Sequence, residues 1–185
     1  MSNQKTSAAL LAEWIAAAKD ARFLTAENGT AETEILQTLR LTDRSVMGCL
    51  LRDVGYVVCA NGHIRILGGK NNACRSFFDV NKLYAGTSVF NGLLIVADTA
   101  NGGLFALHGN QTNGTSEMLY LPYGSLTWER LAIGYADFVR WALSVSPTAL
   151  AEGGWTDAPP RDLPMKSRDA ITQSKIDILL TVRKG

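Results

Sequence analysis

The chain has 185 residues, of which 46% are hydrophobic and 19% charged, and its 18 lysines and arginines nearly balance 17 aspartates and glutamates. This length suits one domain, which can bury roughly 70% of the surface that its unfolded chain exposes. The balance argues against a nucleic-acid binder, which usually carries a basic excess. No apolar run approaches the ~20 residues of a transmembrane helix. We therefore expect a soluble globular protein with neither nucleic acid nor membrane as its partner.

Three cysteines, Cys49, Cys59 and Cys74, show no CxxC spacing. The N-terminal residues are polar and lack the uninterrupted apolar core of a secretory signal. Together these features predict a cytoplasmic protein with reduced thiols that pack as small hydrophobic side chains.

The N-terminal third predicts helices. Apolar residues recur on one helical face over residues 7–21. Thr30 is the expected N-cap of a short helix, and Ser45 is the expected N-cap of a helix over residues 46–54.

After Gly55 the pattern changes to strands. Residues 56–60 and 63–67 flank Asn61-Gly62, which predicts a β-hairpin with a two-residue type I′ turn. Residues 70–91 are polar and predict an irregular loop, pinned to the core by Phe77 and Phe78. Further strands are predicted at residues 92–98, 104–107, 118–121 and 126–131.

A helix is predicted after Gly134, followed by an irregular segment at residues 151–164 and a helix at residues 167–183. The order of helices, hairpins and helices predicts an α+β fold: an antiparallel meander sheet of about five to seven strands, flanked by N-terminal and C-terminal helices. Residues 1–150 are expected to form the domain, and residues 151–185 to pack on it as an irregular wrap and a C-terminal helix.

The chain offers few catalytic signals. Its two histidines, His63 and His108, have no partner at metal-binding spacing, and a metal site of His63, His108 and Cys59 is disfavoured. No GxSxG elbow occurs, and Gly68-Gly69 before Lys70 reads as a turn, because no phosphate-binding motif surrounds it. The sequence thus predicts no enzyme activity, no cofactor and no metal.

Polar and aromatic residues near the predicted hairpins are candidates for a protein-binding surface, because aromatic residues and arginine often anchor such interfaces. A core position for Trp128, with a solvated Glu129, is the alternative interpretation. The candidate partner-binding residues are Asp98, Asn101, Asn110, Trp128, Glu129 and Tyr135.

Four segments resemble an uncharacterised bacterial family, known only as a domain of unknown function of about this length. They are Thr42 to Gly48, Ile64 to Gly68, Leu94 to Asp98 with Gly102 to Gly109, and Trp128 to Leu143 with its Gly134-Tyr135-Ala136-Asp137-Phe138 run. The resemblance covers roughly residues 40–155. More distantly, the order of elements is similar to the SUKH superfamily, which implies a SUKH-like fold and an immunity or regulatory role, as many SUKH proteins neutralise toxins of competing bacteria.

The leading hypothesis is a non-enzymatic module that binds a protein partner. A toxin is one candidate for this partner. One alternative is a small-ligand-binding protein or enzyme with a pocket near Asp98, His108 and Tyr135, in which Asp98 and His108 act as acid and base. Another is self-association of a protein that is otherwise a monomer, giving a homodimer through an exposed strand edge.

Overall fold

The computed structural model describes residues 5–18, 21–42, 44–85, 90–100, 102–108 and 116–144. Within these ranges, all strands join one antiparallel sheet in the order β1-β2-β3-β4-β5-β6-β7, so each strand pairs with its neighbours in sequence. The predicted α+β meander is confirmed. The predicted segments at 151–164 and 167–183 lie outside the described residues. The elements are α1 (Ser7–Ala17), β1 (Arg22–Thr25), α2 (Thr30–Thr38), α3 (Val46–Asp53), β2 (Val54–Cys59), β3 (Ile64–Leu67), α4 (Phe77–Tyr84), β4 (Leu93–Thr99), β5 (Leu104–His108), β6 (Glu117–Leu121), β7 (Glu129–Gly134) and α5 (Tyr135–Ser144).

The sheet is covered unequally on its two sides. One side, the α5 face, packs against α5 and α3, and the ring of Phe105 lies 4.7 Å from that of Phe138. The helix predicted after Gly134 is confirmed as α5, and its residues Phe138, Val139 and Ala142 are buried. Because side chains alternate along a strand, the neighbours of Phe105 point to the opposite side, the α4 face, where α4 packs on β4.

Helix α3 shows how strongly local sequence determines its position. The predicted N-cap is confirmed, because the Ser45 hydroxyl accepts a hydrogen bond from the Gly48 N–H at 3.0 Å. A Cβ atom at Gly48 would lie 2.0 Å from the Thr42 carbonyl oxygen. Only glycine therefore allows this helix to approach the preceding loop so closely.

Helix α4 replaces part of the irregular loop predicted at residues 70–91, so that prediction is wrong there. Its start carries a capping box, in which the Ser76 hydroxyl accepts from the Asp79 N–H and the Asp79 carboxylate accepts from the Ser76 N–H. Such reciprocal bonds satisfy donors that a helix start leaves unpaired. Phe77 and Phe78 are buried, as predicted.

A side chain fastens α4 to the sheet. The Asn81 amide donates to the carbonyl oxygens of Phe77 and Ile95, and its oxygen accepts from the Ile95 N–H at 2.8 Å. These bonds resemble those of a neighbouring strand, and they lie where the β4–β5 register shifts between Ile95 and Ala97. The β3–β4 pairing ends at Ile66 and Ala97, and Asn81 supplies partners for the backbone groups of Ile95 beyond it.

The β2–β3 hairpin is confirmed, but its predicted two-residue turn is wrong. The last pair is Cys59 with Ile64, which leaves four residues in the turn. Ala60, Asn61 and Gly62 have φ values of 50°, 56° and 96°. Asn and Gly tolerate this left-handed region, and the hairpin also forces Ala60 into it.

Other boundaries differ from the predictions. The four-residue strand β1 was not predicted. Gly29, rather than Thr30, is the N-cap of α2, and its N–H donates to the Glu32 carboxylate at 2.9 Å. Hydrogen bonding to backbone N–H groups, first its own and then that of Gly29, lowers the pKa of Glu32 despite the opposing effect of burial. Strand β7 begins at Glu129, three residues after the start of the predicted segment 126–131.

Candidate functional site

Two pairs of arginine and carboxylate lie on the α4 face, and they differ in their environment. The first joins Arg65 on β3 to Asp98 on β4, which face each other directly across the strands. Arg65 Nε donates to Asp98 Oδ1 at 3.0 Å and Nη2 donates to Oδ2 at 2.5 Å. The side chains are 0% and 5% exposed. This bidentate geometry offsets the cost of burying two charges.

Tyr84 of α4 belongs to the same closed region of the face. Its pKa is raised above the ordinary tyrosine range, mainly by burial and then by the negative charge of Asp98, with a partial offset from the positive charge of Arg75. The Tyr84 ring lies 4.2 Å from that of Phe90. Helix α4 and its aromatic residue thus cover the buried ion pair.

Beyond α4 the same face opens into a cleft of about 380 Å³ over β4 to β7. Its apolar lining comes from Leu93, Leu119 and Trp128. The Trp128 ring meets that of Phe90 edge-on, at 5.9 Å and 87°, so it stands at the border with the closed region. The described residues that line the cleft are Asn91, Leu93, His108, Glu117, Leu119, Trp128 and Arg130.

The second arginine–carboxylate pair crosses this cleft from β6 to β7. Arg130 donates through both Nε and Nη2 to the same Glu117 oxygen, Oε2, with Nε at 2.7 Å. Here the arginine side chain is 79% exposed and the glutamate 22%. The pair therefore holds the guanidinium at the cleft while leaving it accessible.

The β6–β7 loop, residues 122–128, ends at Trp128 of the cleft and carries two exposed apolar side chains. Tyr123 is 57% and Leu126 63% exposed. The loop is shaped by internal bonds: the Ser125 N–H donates to the Pro122 carbonyl, and the Thr127 N–H donates to the Ser125 hydroxyl. We call the cleft and this loop together the β6–β7 surface.

The predicted partner-binding residues that the structure describes do not lie together. Trp128 lines the cleft, which is neither the core position nor the fully exposed face considered from the sequence. Glu129 is exposed on the α5 face, because it pairs with Tyr120, whose ring contacts Phe105. Asn101 and Asn110 lie outside the described residues.

Two predicted surface positions need correction. Asp98 is not a surface residue, since it is 4% exposed and occupied by Arg65. Tyr135 is half-buried at the start of α5, with its hydroxyl enclosed and without a hydrogen-bond partner among the described residues. Burial raises the Tyr135 pKa. Of Asp98, His108 and Tyr135, only His108 lines this cleft.

Glu117 and Arg130 are site residues that the sequence analysis missed or treated as solvated. Glu117 and Leu119 alternate on β6, and Leu119 pairs with Arg130 on β7. That alternation is a detectable signal, but its use requires the strand register, which shifts between Glu117 and Leu119. The predicted segment 126–131 begins before β7 and therefore does not give this register.

The described part of the chain contains no group of three or more His, Cys, Asp or Glu side chains that could hold a metal ion. His63 is buried, whereas His108 is exposed at the end of β5. None of the described helices has the length and apolar character needed to cross a membrane.

Comparison with known proteins gives a family but no activity. The chain is 30% identical over 156 residues to an "Uncharacterized protein" of Haemophilus influenzae, covering 80% of this chain and 68% of that protein. It is 31% identical over 140 residues to the "Putative uncharacterized protein YbfG" of Escherichia coli, covering 73% of this chain and 62% of that protein. The chain thus spans less than two thirds of the second relative's length. No solved structure gives a significant match.

The family model described as "Protein of unknown function DUF2625" matches residues 1–155. The match confirms the resemblance to an uncharacterised bacterial family and extends it to the N-terminus, beyond the predicted start near residue 40. It includes every described residue. The chain belongs to the DUF2625 family.

Proposed function

We propose that this protein is a non-enzymatic protein-binding module and that the β6–β7 surface is its binding site. The observation that carries the proposal is the position of Trp128 in an open cleft, at the end of a loop that exposes Tyr123 and Leu126. Tryptophan, tyrosine and arginine are enriched among residues that dominate binding energy. The β6–β7 surface combines all three.

The energetics favour a partner on this loop. Burying a side chain the size of leucine contributes about 1.5–3 kcal/mol, and Leu126 is 63% exposed in the isolated chain. The bonds of Ser125 restrain the loop before any partner arrives. Such preorganisation lowers the entropy lost on binding.

A photo-crosslinking amino acid at Leu126 tests the proposal in the native host. We expect a discrete crosslinked protein from that position and none from Gln37, an exposed control on α2. The purified partner should then lose affinity by about tenfold or more for Trp128→Ala, as expected of a residue that dominates an interface. An unchanged affinity would contradict the proposed site.

The more specific form of the proposal is a cytoplasmic immunity-type or regulatory protein, as the SUKH resemblance implies, with a toxin as partner. Lysine and arginine balance aspartate and glutamate along the chain, with 12 of each in residues 1–145. Recognition would then depend on shape and apolar anchors rather than on long-range charge steering. Co-expression with toxin candidates encoded beside the gene tests this form, since only a cognate pair should restore growth.

A small-ligand-binding protein or enzyme is the second candidate. The observation in its favour is the cleft volume of about 380 Å³, which falls within the range of roughly 300–1,000 Å³ for ligand pockets. His108 and Glu117 would be its polar groups. Thermal-shift screening against nucleotides, sugars and carboxylic acids tests it, because a ligand that binds the folded state raises Tm.

A further inference from the structure

Several hydrogen-bond donors at the cleft have no partner among the described residues. A guanidinium has five N–H donors, and Arg130 directs two of them to Glu117. Its other donors have no acceptor among the described residues. Asn91 is exposed at the same cleft, and its side-chain amide likewise has no bond within the described part of the chain.

Among the described residues that line the cleft, only Glu117 carries a carboxylate, and the bonds from Arg130 already occupy one of its oxygens. The lining beside this pair is apolar, through Leu93, Leu119 and Trp128. The complementary ligand therefore combines a hydrogen-bond-accepting anion with an apolar group.

We propose that the cleft binds a partner segment in which a carboxylate lies next to an apolar or aromatic side chain. The carboxylate pairs with the accessible edge of Arg130, and the apolar side chain lies on Leu119 and Trp128. Glu117 is a positioning residue that fixes the guanidinium before the partner arrives. This inference rests on the proposed protein-binding function and specifies the chemistry of the partner.

Selection of a random peptide display library against the full chain tests this chemistry directly. We expect the enriched peptides to place Asp, Glu or a free C-terminus within two or three residues of an aromatic or leucine side chain. Changing that acidic residue to its amide should weaken binding about tenfold, as should Arg130→Gln. The two changes together should cost little more than either alone, since both remove one ion pair.

Arg140→Gln is the matched control. Arg140 is also an exposed arginine paired to a carboxylate, Asp137, but it lies on α5. Its replacement removes the same charge and should leave peptide affinity unchanged. Equal losses for Arg130→Gln and Arg140→Gln would indicate net charge alone and overturn the proposed contact.

The remaining outcomes separate this inference from the proposed function. Loss of binding for Trp128→Ala without any effect of Arg130→Gln or of the peptide amide would overturn the carboxylate assignment and leave the protein-binding function in place. Peptides insensitive to both Trp128→Ala and Arg130→Gln, or a selection that yields no binder, would count against both. Binding of free 3-phenylpropionate as tightly as the peptide would overturn the partner segment in favour of a small carboxylic acid.

Discussion

Two arginine–carboxylate pairs on the same face of one sheet serve different purposes. Arg65 and Asp98 are sealed under α4, with side chains 0% and 5% exposed. Arg130 and Glu117 join neighbouring strands in the open cleft, where the arginine is 79% exposed. The chemistry of the two pairs is the same, so the difference in burial decides what each contributes.

Because of this difference in burial, replacing one member of the first pair should cost more stability than replacing one member of the second. A buried charge that loses its partner has no water to compensate it, whereas an exposed pair exchanges one set of solvated contacts for another. The aromatic residues Tyr84, Phe90 and Trp128 mark the border between the two regions. The closed half of the face is thus suited to stability and the open half to recognition.

Asp98→Ala should have the largest effect on stability. The change leaves the Arg65 guanidinium buried without its bidentate partner, and we expect a loss of about 3–5 kcal/mol in the free energy of unfolding. Urea denaturation measures this loss. An unchanged slope of the free energy of unfolding against urea concentration would show that the variant and the unchanged protein expose the same surface on unfolding.

Replacing both members of the pair by apolar residues is the control. Arg65→Met with Asp98→Leu removes both charges, and such replacements are often neutral or stabilising. Recovery of most of the lost stability in the double variant would show that the cost arises from the unpaired charge. A double variant as unstable as Asp98→Ala would instead assign the cost to packing under α4.

Asn81→Ala should come next, because it removes the bonds that attach α4 to β4. The change leaves the Ile95 N–H and carbonyl without their partner, and an unsatisfied buried group costs about 1–3 kcal/mol. Hydrogen exchange at Ile95 should accelerate with the loss of stability. Lys82→Ala, an exposed change on the same helix, should change neither the stability nor the hydrogen exchange at Ile95.

The sequence predicted those elements whose signals are local. Ser45 before an apolar stripe defined α3, and the spacing of Phe138, Val139 and Ala142 defined α5. Helix α4 was missed because its eight residues follow a polar, glycine-containing stretch, although Ser76 and Asp79 formed a readable capping box.

The candidate site was less predictable because it depends on pairing between strands. Arg65 and Asp98 each interrupt an apolar strand with one charge, a signal visible in the sequence, yet only the β3–β4 register brings them together. The predicted segment 126–131 also ended before the irregular part of β7, in which Arg130 pairs with Leu119 and Gly134 pairs with Glu117. Burial of Asp98 follows from α4, which the sequence analysis had not recognised.

Ala132→Gly tests the irregularity of β7 and should stabilise the open half. Ala132 is exposed with φ of 54° inside the strand, at the register shift opposite β6. Alanine is strained in this left-handed region, and glycine is not, so we expect a gain of about 0.5–1 kcal/mol despite the greater freedom of glycine in the unfolded chain. Ala136→Gly, four residues later in α5, should lose a similar amount.

Glu117→Gln should have the smallest effect on stability and the clearest effect on recognition. The pair with Arg130 is largely exposed, so its loss should change the free energy of unfolding by only about 0–1 kcal/mol, and by less at high salt. If Glu117 positions the guanidinium, however, the variant should weaken the binding of an acidic, apolar peptide even though it removes a negative charge from the cleft. Removal of a merely repulsive charge would strengthen the same binding, so the sign of the change in Kd decides whether the exposed pair is a positioning device. A stability loss as large as that of Asp98→Ala would remove the contrast between the two halves of the face.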